Sequence, residues 1–453
     1  MKKLIALLLA VVMVMGLAAC GSKTTTETKA PTEAKVDTPA TEAKTDAPAA
    51  AGSVYYLNFK PEFDQALQGL AASYTEKTGV PVKVVTAASG DYSNTLNAQM
   101  GKDGAPTVYN IGNMSGLKDW DEYALDLTGT ALAGELATND FNLYNEAGEL
   151  KAMGYCYESF GIIVNTKLLA DAGHSLDEIK DFASLKAVAD DIHARAAELG
   201  FDAFSSAGLD GSSSWRFSGH LANMPLYYEF RDDDVTEQPA EIKGTYLDNF
   251  RNIWDLYITD SAADPTALST ATGDQSEAEF GEGKAVFYQN GTWEYAALTA
   301  DKFNLNPDEI AMIPIYCGVD GEEKAGLCSG TENCWAINSQ AKEEDIQASL
   351  DFLYWLVTDP DASAVLVEQL GAVPFKSCPA SANKFIVDGN ALLADGKYAV
   401  TWAFNYTPNV DSWRATVVTA LAAYSAAPTD ANWEAVKTAF VDGWAIEYKT
   451  VNG

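Results

Sequence analysis

The chain has 453 residues, of which 47% are hydrophobic and 11% aromatic, so it is long and apolar enough to bury two cores. Its 64 acidic residues outnumber its 30 Lys and Arg residues, and the formal net charge is −34. Such a surface repels nucleic acid and anionic lipid and favours neutral or cationic ligands. Five of the six cysteines follow residue 100 without CxxC spacing, which predicts mostly free, buried thiols rather than a disulfide scaffold.

The first 52 residues carry an export pattern. Lys2 and Lys3 precede an apolar run over 4–17 that is too short to span a bilayer comfortably and is typical of a secretory signal peptide, predicted over 1–19. The ending Leu17-Ala18-Ala19-Cys20 resembles the lipobox of bacterial lipoproteins, which implies that Cys20 carries the lipid and becomes the mature N-terminus. Residues 20–52 contain one branched aliphatic residue and no aromatic one, which predicts a disordered linker.

From about residue 53 onward, strand and helix patterns alternate. The predicted strands are 54–59, 80–85, 106–111 and 160–164, and the predicted helices are 63–74, 168–173, 185–199, 247–257, 346–357 and 361–370. Ser184 is the predicted N-cap of the third of these helices. The alternation predicts an α/β architecture with mainly parallel sheets.

Several motifs, in order along the chain, resemble the extracellular solute-binding proteins of ABC importers. The similarity is to family 1, the carbohydrate-binding type that includes maltose-binding protein. The motifs are Phe160-Gly161-Ile162-Ile163-Val164-Asn165 before Lys167-Leu168, Gly283-Lys284-Ala285 before Gly291-Thr292-Trp293, Ala311-Met312-Ile313-Pro314, Asp359-Pro360 before Leu370-Gly371, and Pro408-Asn409-Val410 with Trp413.

The resemblance implies a two-lobe periplasmic-binding-protein-like fold with three interlobe crossings and a ligand cleft between the lobes. If the family's lobe boundaries apply to this chain, lobe 1 covers 53–157 plus 315–373, and lobe 2 covers 158–313 plus 374–453. Cys156, Cys317 and Cys378 then lie near the crossings, and at least two of them are expected to be reduced.

A carbohydrate site needs flat aromatic rings against the sugar faces and polar groups around the rim. The resemblance places Trp293 and Trp413 at stacking positions, Glu158 as a cleft carboxylate at the first crossing, and Lys60 as a charged contact. Tyr109 and Asn110 end a predicted strand at a cleft edge, and Trp215 lies in a Gly/Ser-rich loop. The full set of predicted ligand-binding residues is Lys60, Tyr109, Asn110, Glu158, Trp215, Trp293 and Trp413.

Weaker candidates have ordinary structural explanations. Ser89-Gly90-Asp91 forms a turn that faces either the cleft or solvent, and Trp335 either flanks the cleft or packs in the core. Trp120 and Trp402 are expected to pack. The acidic run Asp232-Asp233-Asp234 has oxygen ligands suited to Ca²⁺, but its spacing is not that of an EF-hand, so no metal and no cofactor are expected. The three histidines lack zinc-ligand spacing.

The resulting hypothesis is a lipid-anchored binding protein on the outer face of the cell membrane. It captures a sugar or oligosaccharide, delivers it to membrane permease subunits, is not an enzyme, binds no nucleic acid and is a monomer. Three alternatives stay open: the same fold binding a polyamine or peptide, an exported glycoside hydrolase with a carboxylate pair, and a purely structural surface lipoprotein.

Overall fold

Two mixed β-sheets organise the chain in the computed structural model, which describes residues 52–88, 90–139, 141–206, 208–332 and 334–453. The predicted signal peptide, Cys20, the linker up to residue 51 and Ser89 lie outside the described residues. The strands are β1 (Val54–Asn58), β2 (Val82–Thr86), β3 (Val108–Ile111), β4 (Leu143–Tyr144), β5 (Leu150–Gly154), β6 (Glu158–Asn165), β7 (Asp202–Ser205), β8 (Ala285–Gly291), β9 (Ile310–Ile313), β10 (Ala325–Gly330), β11 (Cys334–Ile337) and β12 (Tyr398–Thr401).

Helices connect most of these strands. The α-helices are α1 (Asp64–Thr78), α2 (Tyr92–Met100), α3 (Met114–Trp120), α4 (Ala131–Gly134), α5 (Thr166–Asp171), α6 (Phe182–Ala194), α7 (Ala196–Leu199), α8 (Asn223–Asp232), α9 (Leu247–Thr259), α10 (Gly273–Gly281), α11 (Glu294–Thr299), α12 (Glu343–Thr358), α13 (Pro360–Leu370), α14 (Lys384–Ala394), α15 (Val410–Ala426) and α16 (Asp430–Asn452). A π-helix spans Arg216–Leu221. Within the described residues, no helix combines the length and hydrophobicity needed to cross a bilayer.

The first sheet has the order β2-β1-β3-β11-β5-β4, and the second has the order β12-β10-β6-β8-β7 with β9 also paired to β6. The prediction of mainly parallel sheets is wrong. Strand β1 is parallel to β2 and β3, but β11 runs antiparallel to both β3 and β5, and β6 runs antiparallel to β8, β9 and β10. The antiparallel strands β5, β6, β10 and β11 flank the points where the chain passes from one sheet to the other.

Each sheet is covered by helices on both faces, as expected for an α/β lobe. Helices α1, α12 and α13 bury their apolar residues on one face of the first sheet, and α2 and α3 on the other. On the second sheet, α6, α8, α9, α15 and α16 form the larger core, while α11 and α14 cover the opposite face. The chain therefore folds as two α/β lobes.

Three crossings join the lobes. The chain passes between sheets from Gly154 to Glu158, from Gly330 to Cys334, and between Phe375 in the first core and Phe385 in the second. The predicted placement of 315–330 in lobe 1 does not agree with the strand pairing. Strand β10 pairs with the start of β6 and with β12, and the apolar residues of 315–319 pack in the second core, so this segment belongs to the second lobe.

The cysteines and one helix cap refine the sequence predictions. Five cysteines are free thiols, and all but Cys378 are buried, as predicted. Cys317 packs in the core of the second lobe rather than beside a crossing. The N-cap of α6 is Asp181, not Ser184; the Asp181 carboxylate accepts a 2.8 Å hydrogen bond from the Ser184 N–H in a capping box.

Candidate functional site

A buried ion pair joins the two lobes beside the first crossing. Lys60, just after β1, places its Nζ 2.6 Å from Oε1 of Glu158, the first residue of β6. The Lys60 Nζ also lies 2.7 Å from Oε1 of Glu62. The side chains of Lys60 and Glu158 are 5% and 6% exposed, so this contact is withdrawn from solvent.

The local sequence fixes the position of Lys60. Pro61 follows it and disfavours helical backbone at residue 60, which is extended with φ −101° and ψ 102°. The amide of Asn58 then holds the backbone from both sides: Oδ1 accepts from the Lys60 N–H at 3.1 Å, and Nδ2 donates to the Lys60 carbonyl at 2.7 Å. The side chain is thereby aimed across the lobe boundary.

The two carboxylates keep Lys60 charged. Burial by itself lowers the pKa of the Lys60 ammonium, but the nearby charges of Glu158 and Glu62 outweigh it and raise that pKa well above its ordinary value. Lys60 is therefore a fixed cation at the lobe boundary.

Trp293 presents a half-buried ring close to this pair. Its ring centroid lies 6.0 Å from the Lys60 Nζ. The indole covers Gly291 at the end of β8 so closely that a Cβ at that glycine would lie 2.1 Å from Trp293 Cη2. The Thr292 N–H donates to the Ser159 carbonyl at 2.8 Å, and Asn383 Nδ2 donates to the Thr292 carbonyl at 2.8 Å. These bonds fix the turn that carries the ring.

Two further rings extend this aromatic surface. The Trp215 and His220 ring centroids lie 5.9 and 5.3 Å from that of Trp293. Trp215 is half-buried, and its indole N–H donates to the Ser212 carbonyl at 2.9 Å. His220 stacks on Phe160 of β6 with centroids 4.1 Å apart. We refer to Trp215, His220 and Trp293 as the aromatic group.

The sequence did not indicate His220 as a site residue. It lies in the π-helix, a rare element that often occurs at functional sites. Burial and the charges of Arg414 and Arg216 lower the pKa of His220 well below its ordinary value, so the imidazole is neutral at physiological pH. Its Nδ1 is buried and has no hydrogen-bond partner among the described residues.

A cavity of about 530 Å³ lies between the lobes, and one of its lining residues, Arg414, contacts Gly219 next to His220. Its walls on the first lobe come from the ends of β1 and β3 and from α2 and α3. Those on the second lobe come from the segment that leads into α15 and from the start of α15 itself. The lining residues include Phe59, Tyr92, Asn110, Trp120, Thr407, Asp411 and Arg414, with Glu332 at the second crossing. The Ser93 hydroxyl donates to Asp411 Oδ2 at 3.0 Å and bridges the lobes at the cavity rim.

Arg414 and Glu332 connect the cavity to the aromatic group. The Arg414 Nη2 lies 3.6 Å from Glu332 Oε1, and its guanidinium is so close to Gly219, the neighbour of His220, that a Cβ there would approach Nη2 to 2.7 Å. Burial raises the pKa of Glu332 although Arg414 opposes the shift. Arg414 was not predicted from the sequence, although it directly follows Trp413.

Of the remaining predicted residues, the structure places one in the cavity wall and two in the cores of the lobes. Asn110 lines the cavity, and its Oδ1 accepts from the Phe59 N–H at 3.2 Å. Tyr109 points to the other face of β3 and is fully buried against Trp120 in the first lobe. Trp413 is also fully buried, with its indole N–H donating to the Phe440 carbonyl at 2.9 Å. We therefore leave Tyr109 and Trp413 out of the site, since neither ring has surface to offer a ligand.

Replacing Trp413 by Phe is expected to destabilise the protein without changing ligand affinity. The change removes the indole N–H that donates to the Phe440 carbonyl and leaves a void in the core, a loss of about 1–3 kcal/mol in the free energy of unfolding. Denaturant unfolding and calorimetry on the same preparation measure the two quantities. A large loss of affinity with unchanged stability would return Trp413 to the site.

Trp335, Trp402 and the acidic loop are structural, whereas Trp120, which was expected to pack, lines the cavity. Trp335 is buried and stacks on Tyr155 with centroids 4.5 Å apart, and Trp402 lies behind His220. In the acidic loop, Asp232 pairs with Arg231 and Asp233 with Lys243. No group of three or more His, Cys, Asp or Glu side chains in the described part of the chain is arranged to hold a metal ion.

Comparisons with known proteins agree with this architecture. The family model of bacterial extracellular solute-binding proteins matches residues 69–388. No curated protein sequence matches the chain. Among solved structures, the binding protein RafE in complex with raffinose is similar with a TM-score of 0.69 and 16% identity, over 88% of this chain and 99% of that one.

Two other solved structures are similar to the same extent. The GacH receptor of Streptomyces glaucescens, solved unliganded and with acarbose, has a TM-score of 0.64 and 19% identity over 88% of this chain and 99% of that one. A sugar transporter protein from Bacillus licheniformis in complex with stachyose has a TM-score of 0.66 and 14% identity over 87% and 100%. At these identities the likeness establishes the fold.

Proposed function

The chain belongs to the bacterial extracellular solute-binding proteins, and on that premise we propose that it captures a sugar or oligosaccharide and delivers it to the membrane permease of an ABC transporter. The observation that carries the proposal is the half-buried Trp293 ring beside the Lys60–Glu158 pair at the lobe boundary. A flat ring covers the C–H face of a sugar, and charged groups at its edge bind the hydroxyls.

The solved relatives support this choice of ligand class. RafE holds raffinose, the Bacillus licheniformis protein holds stachyose, GacH holds acarbose, and a protein from Agrobacterium radiobacter K84 holds ribitol. All four ligands are polyhydroxylated and present hydroxyls to a polar rim. A site that combines Trp215, Trp293 and charged rim groups suits a ligand of this kind.

Capture without bond cleavage fits the arrangement of the lobes. We place the lobe boundaries at the three crossings, so that Lys60 and Asn110 approach the ligand from one lobe and Glu158, Trp293 and Arg414 from the other. Because only a closed form contacts the ligand from both sides, binding shifts the population toward closure. In this role the protein is a monomer, needs no cofactor and turns over no substrate.

The proposal includes attachment to the outer face of the cell membrane. Cys20 in the Leu-Ala-Ala-Cys sequence is the expected lipidation site, and the polar segment that follows lets the binding domain reach the permease. Cells producing the full chain should incorporate labelled palmitate into it and retain it with the membrane. The Cys20→Ser variant should lose the label, and a fully labelled variant would contradict the anchor.

Calorimetry of the full chain with the Cys20→Ser change tests the binding function. The titrants are raffinose, stachyose, chitin oligosaccharides and ribitol, with spermidine and a tripeptide as non-carbohydrate controls. We expect at least one carbohydrate to bind and to be recovered intact by mass spectrometry. Shortened products would favour the glycoside hydrolase alternative, and binding of the controls alone would favour a non-sugar solute.

A further inference from the structure

The charged side chains around the cleft do not balance. Three carboxylates and one cation line the 530 Å³ cavity, a formal excess of two negative charges: Glu332, Asp119 and Asp411 against Arg414. Beside the first crossing, Lys60 lies between Glu62 and Glu158. A neutral sugar needs hydrogen-bonding groups, but it gains nothing from an uncompensated negative field. The excess therefore carries information about the ligand.

The two cations are already committed to protein carboxylates. Lys60 is held by both Glu62 and Glu158, and Arg414 lies beside Glu332. Asp411 accepts one hydrogen bond from the Ser93 hydroxyl, and neither Asp411 nor Asp119 forms an ion pair within the described residues. The uncompensated charge is thus concentrated in the walls of the 530 Å³ cavity.

The carboxyl groups in these walls are poorly compensated. Burial raises the pKa of Glu332 despite Arg414, and partial burial raises the pKa of Asp119 despite Lys118. In each case the charged form lacks a counter-charge sufficient to offset the lost hydration. A cation inside the cavity would supply it.

Unpartnered polar atoms indicate that the cavity also binds oxygen-bearing groups. Thr407 is fully buried in the cavity wall, and its Oγ1 has no hydrogen-bond partner among the described residues. The Arg414 Nε likewise has no hydrogen-bond partner there. A hydroxyl or ring oxygen of a ligand would satisfy both atoms, and a cavity of this volume is in the usual range for a small-molecule site.

We propose that this cavity binds a protonated amino group carried by a carbohydrate, so that the ligand is an amino sugar or an amino-substituted oligosaccharide. The inference rests on the proposed function and narrows its substrate class. The ammonium lies between Asp411 and Glu332 with the Tyr92 and Trp120 rings nearby, and the hydroxyls of the same sugar unit bind Thr407 and Arg414. An ammonium suits this place because it is a compact charge that aromatic faces also attract.

Matched ligand pairs test the proposal. The full chain is titrated calorimetrically at slightly acidic pH, where the amines are protonated. The first pair of ligands is the tetramer of glucosamine and the tetramer of N-acetylglucosamine. The second pair is galactosamine and N-acetylgalactosamine, both as monosaccharides. The members of the tetramer pair differ in charge at four nitrogens, and those of the monosaccharide pair differ at one. We expect the amine to bind at least about tenfold more tightly than its acetylated partner in at least one pair, with an affinity that falls as salt rises.

The variant Asp411→Asn assigns the preference to the cavity. The asparagine keeps the hydrogen-bonding shape at the exposed rim but removes the charge, so amine affinity should fall about tenfold while that of the acetylated partner stays the same. Glu368→Gln is the matched control, because Glu368 is an exposed carboxylate on α13 away from the cleft. It should leave both affinities unchanged.

The outcomes separate this inference from the proposed function. Equal or weaker binding of the amines, or binding of raffinose or stachyose alone, overturns the amino-sugar inference and leaves carbohydrate capture intact. An amine preference that survives Asp411→Asn also overturns it. Binding of spermidine without any carbohydrate, or no binding at all, overturns the proposed function together with the inference.

Discussion

Replacing Trp293 by Ala is expected to lower carbohydrate affinity at least tenfold, about 1.4 kcal/mol, while the melting temperature stays near that of the wild type. The ring is half-buried at the lobe boundary and is the largest flat surface beside the Lys60–Glu158 pair. Its removal takes away the stacking surface, while the turn at Thr292 keeps its hydrogen bonds to Ser159 and Asn383. Calorimetry and a thermal melt measure the two effects.

Trp355→Ala is the matched control for this substitution. Trp355 is also a half-buried tryptophan, but it lies on α12 against Tyr74 and Phe352 in the first lobe. The control variant should lose stability and keep its affinity. An affinity of the Trp293→Ala protein within a factor of about two of the wild type, below 0.5 kcal/mol, would remove Trp293 from the site.

Replacing Lys60 by Met is expected to lower the free energy of unfolding by about 3–5 kcal/mol, because it leaves the buried Glu158 carboxylate without its cation. The double variant Lys60→Met with Glu158→Gln removes both charges and should recover most of that loss. Urea unfolding at neutral pH measures each variant. Lys77→Met is the control: its pair with Asp359 is exposed, and its loss should cost no more than about 1 kcal/mol.

The pH dependence of the Lys60 effect follows from its raised pKa. A cation whose pKa is higher in the folded state contributes its full stabilisation below the unfolded value, about 10.4, and loses it as pH rises through the folded value. The difference between wild type and Lys60→Met should therefore stay constant from neutral pH to about pH 10 and shrink only above it. A difference that disappears near neutral pH would contradict the buried pair.

Much of the fold was predictable because its determinants are local. The apolar residues of α1 recur at helical spacing from Leu67 to Tyr74. The helix is capped by Gly79, which adopts the left-handed φ of 76° that glycine favours. The strand pairing was not predictable, since the direction of β10 and β11 depends on where the chain changes lobes. That non-local choice is why 315–330 was assigned to the first lobe and why the sheets are mixed rather than mainly parallel.

The residues of the candidate site were likewise predictable only in part. Of the predicted residues, Lys60 and Glu158 form an ion pair, Asn110 lines the cavity, and the Trp215 and Trp293 rings are neighbours. Their role in ligand binding stays a prediction. Sequence does not say which way a side chain points, so Trp413 was chosen although its ring is in the core and the next residue, Arg414, faces the cavity. A lone histidine in an apolar stretch is typical of a core residue. Only the three-dimensional fold shows that the π-helix places His220 beside the rings of Trp215 and Trp293.

Hydrogen–deuterium exchange of the full chain, with and without a saturating carbohydrate, tests the central claim most directly. A ligand held between the lobes should slow backbone exchange in segments from both, namely 58–62 and 107–111 of the first lobe and 290–294 and 405–414 of the second. Slowing confined to one lobe, or to surfaces away from these four segments, would contradict a site formed between the lobes.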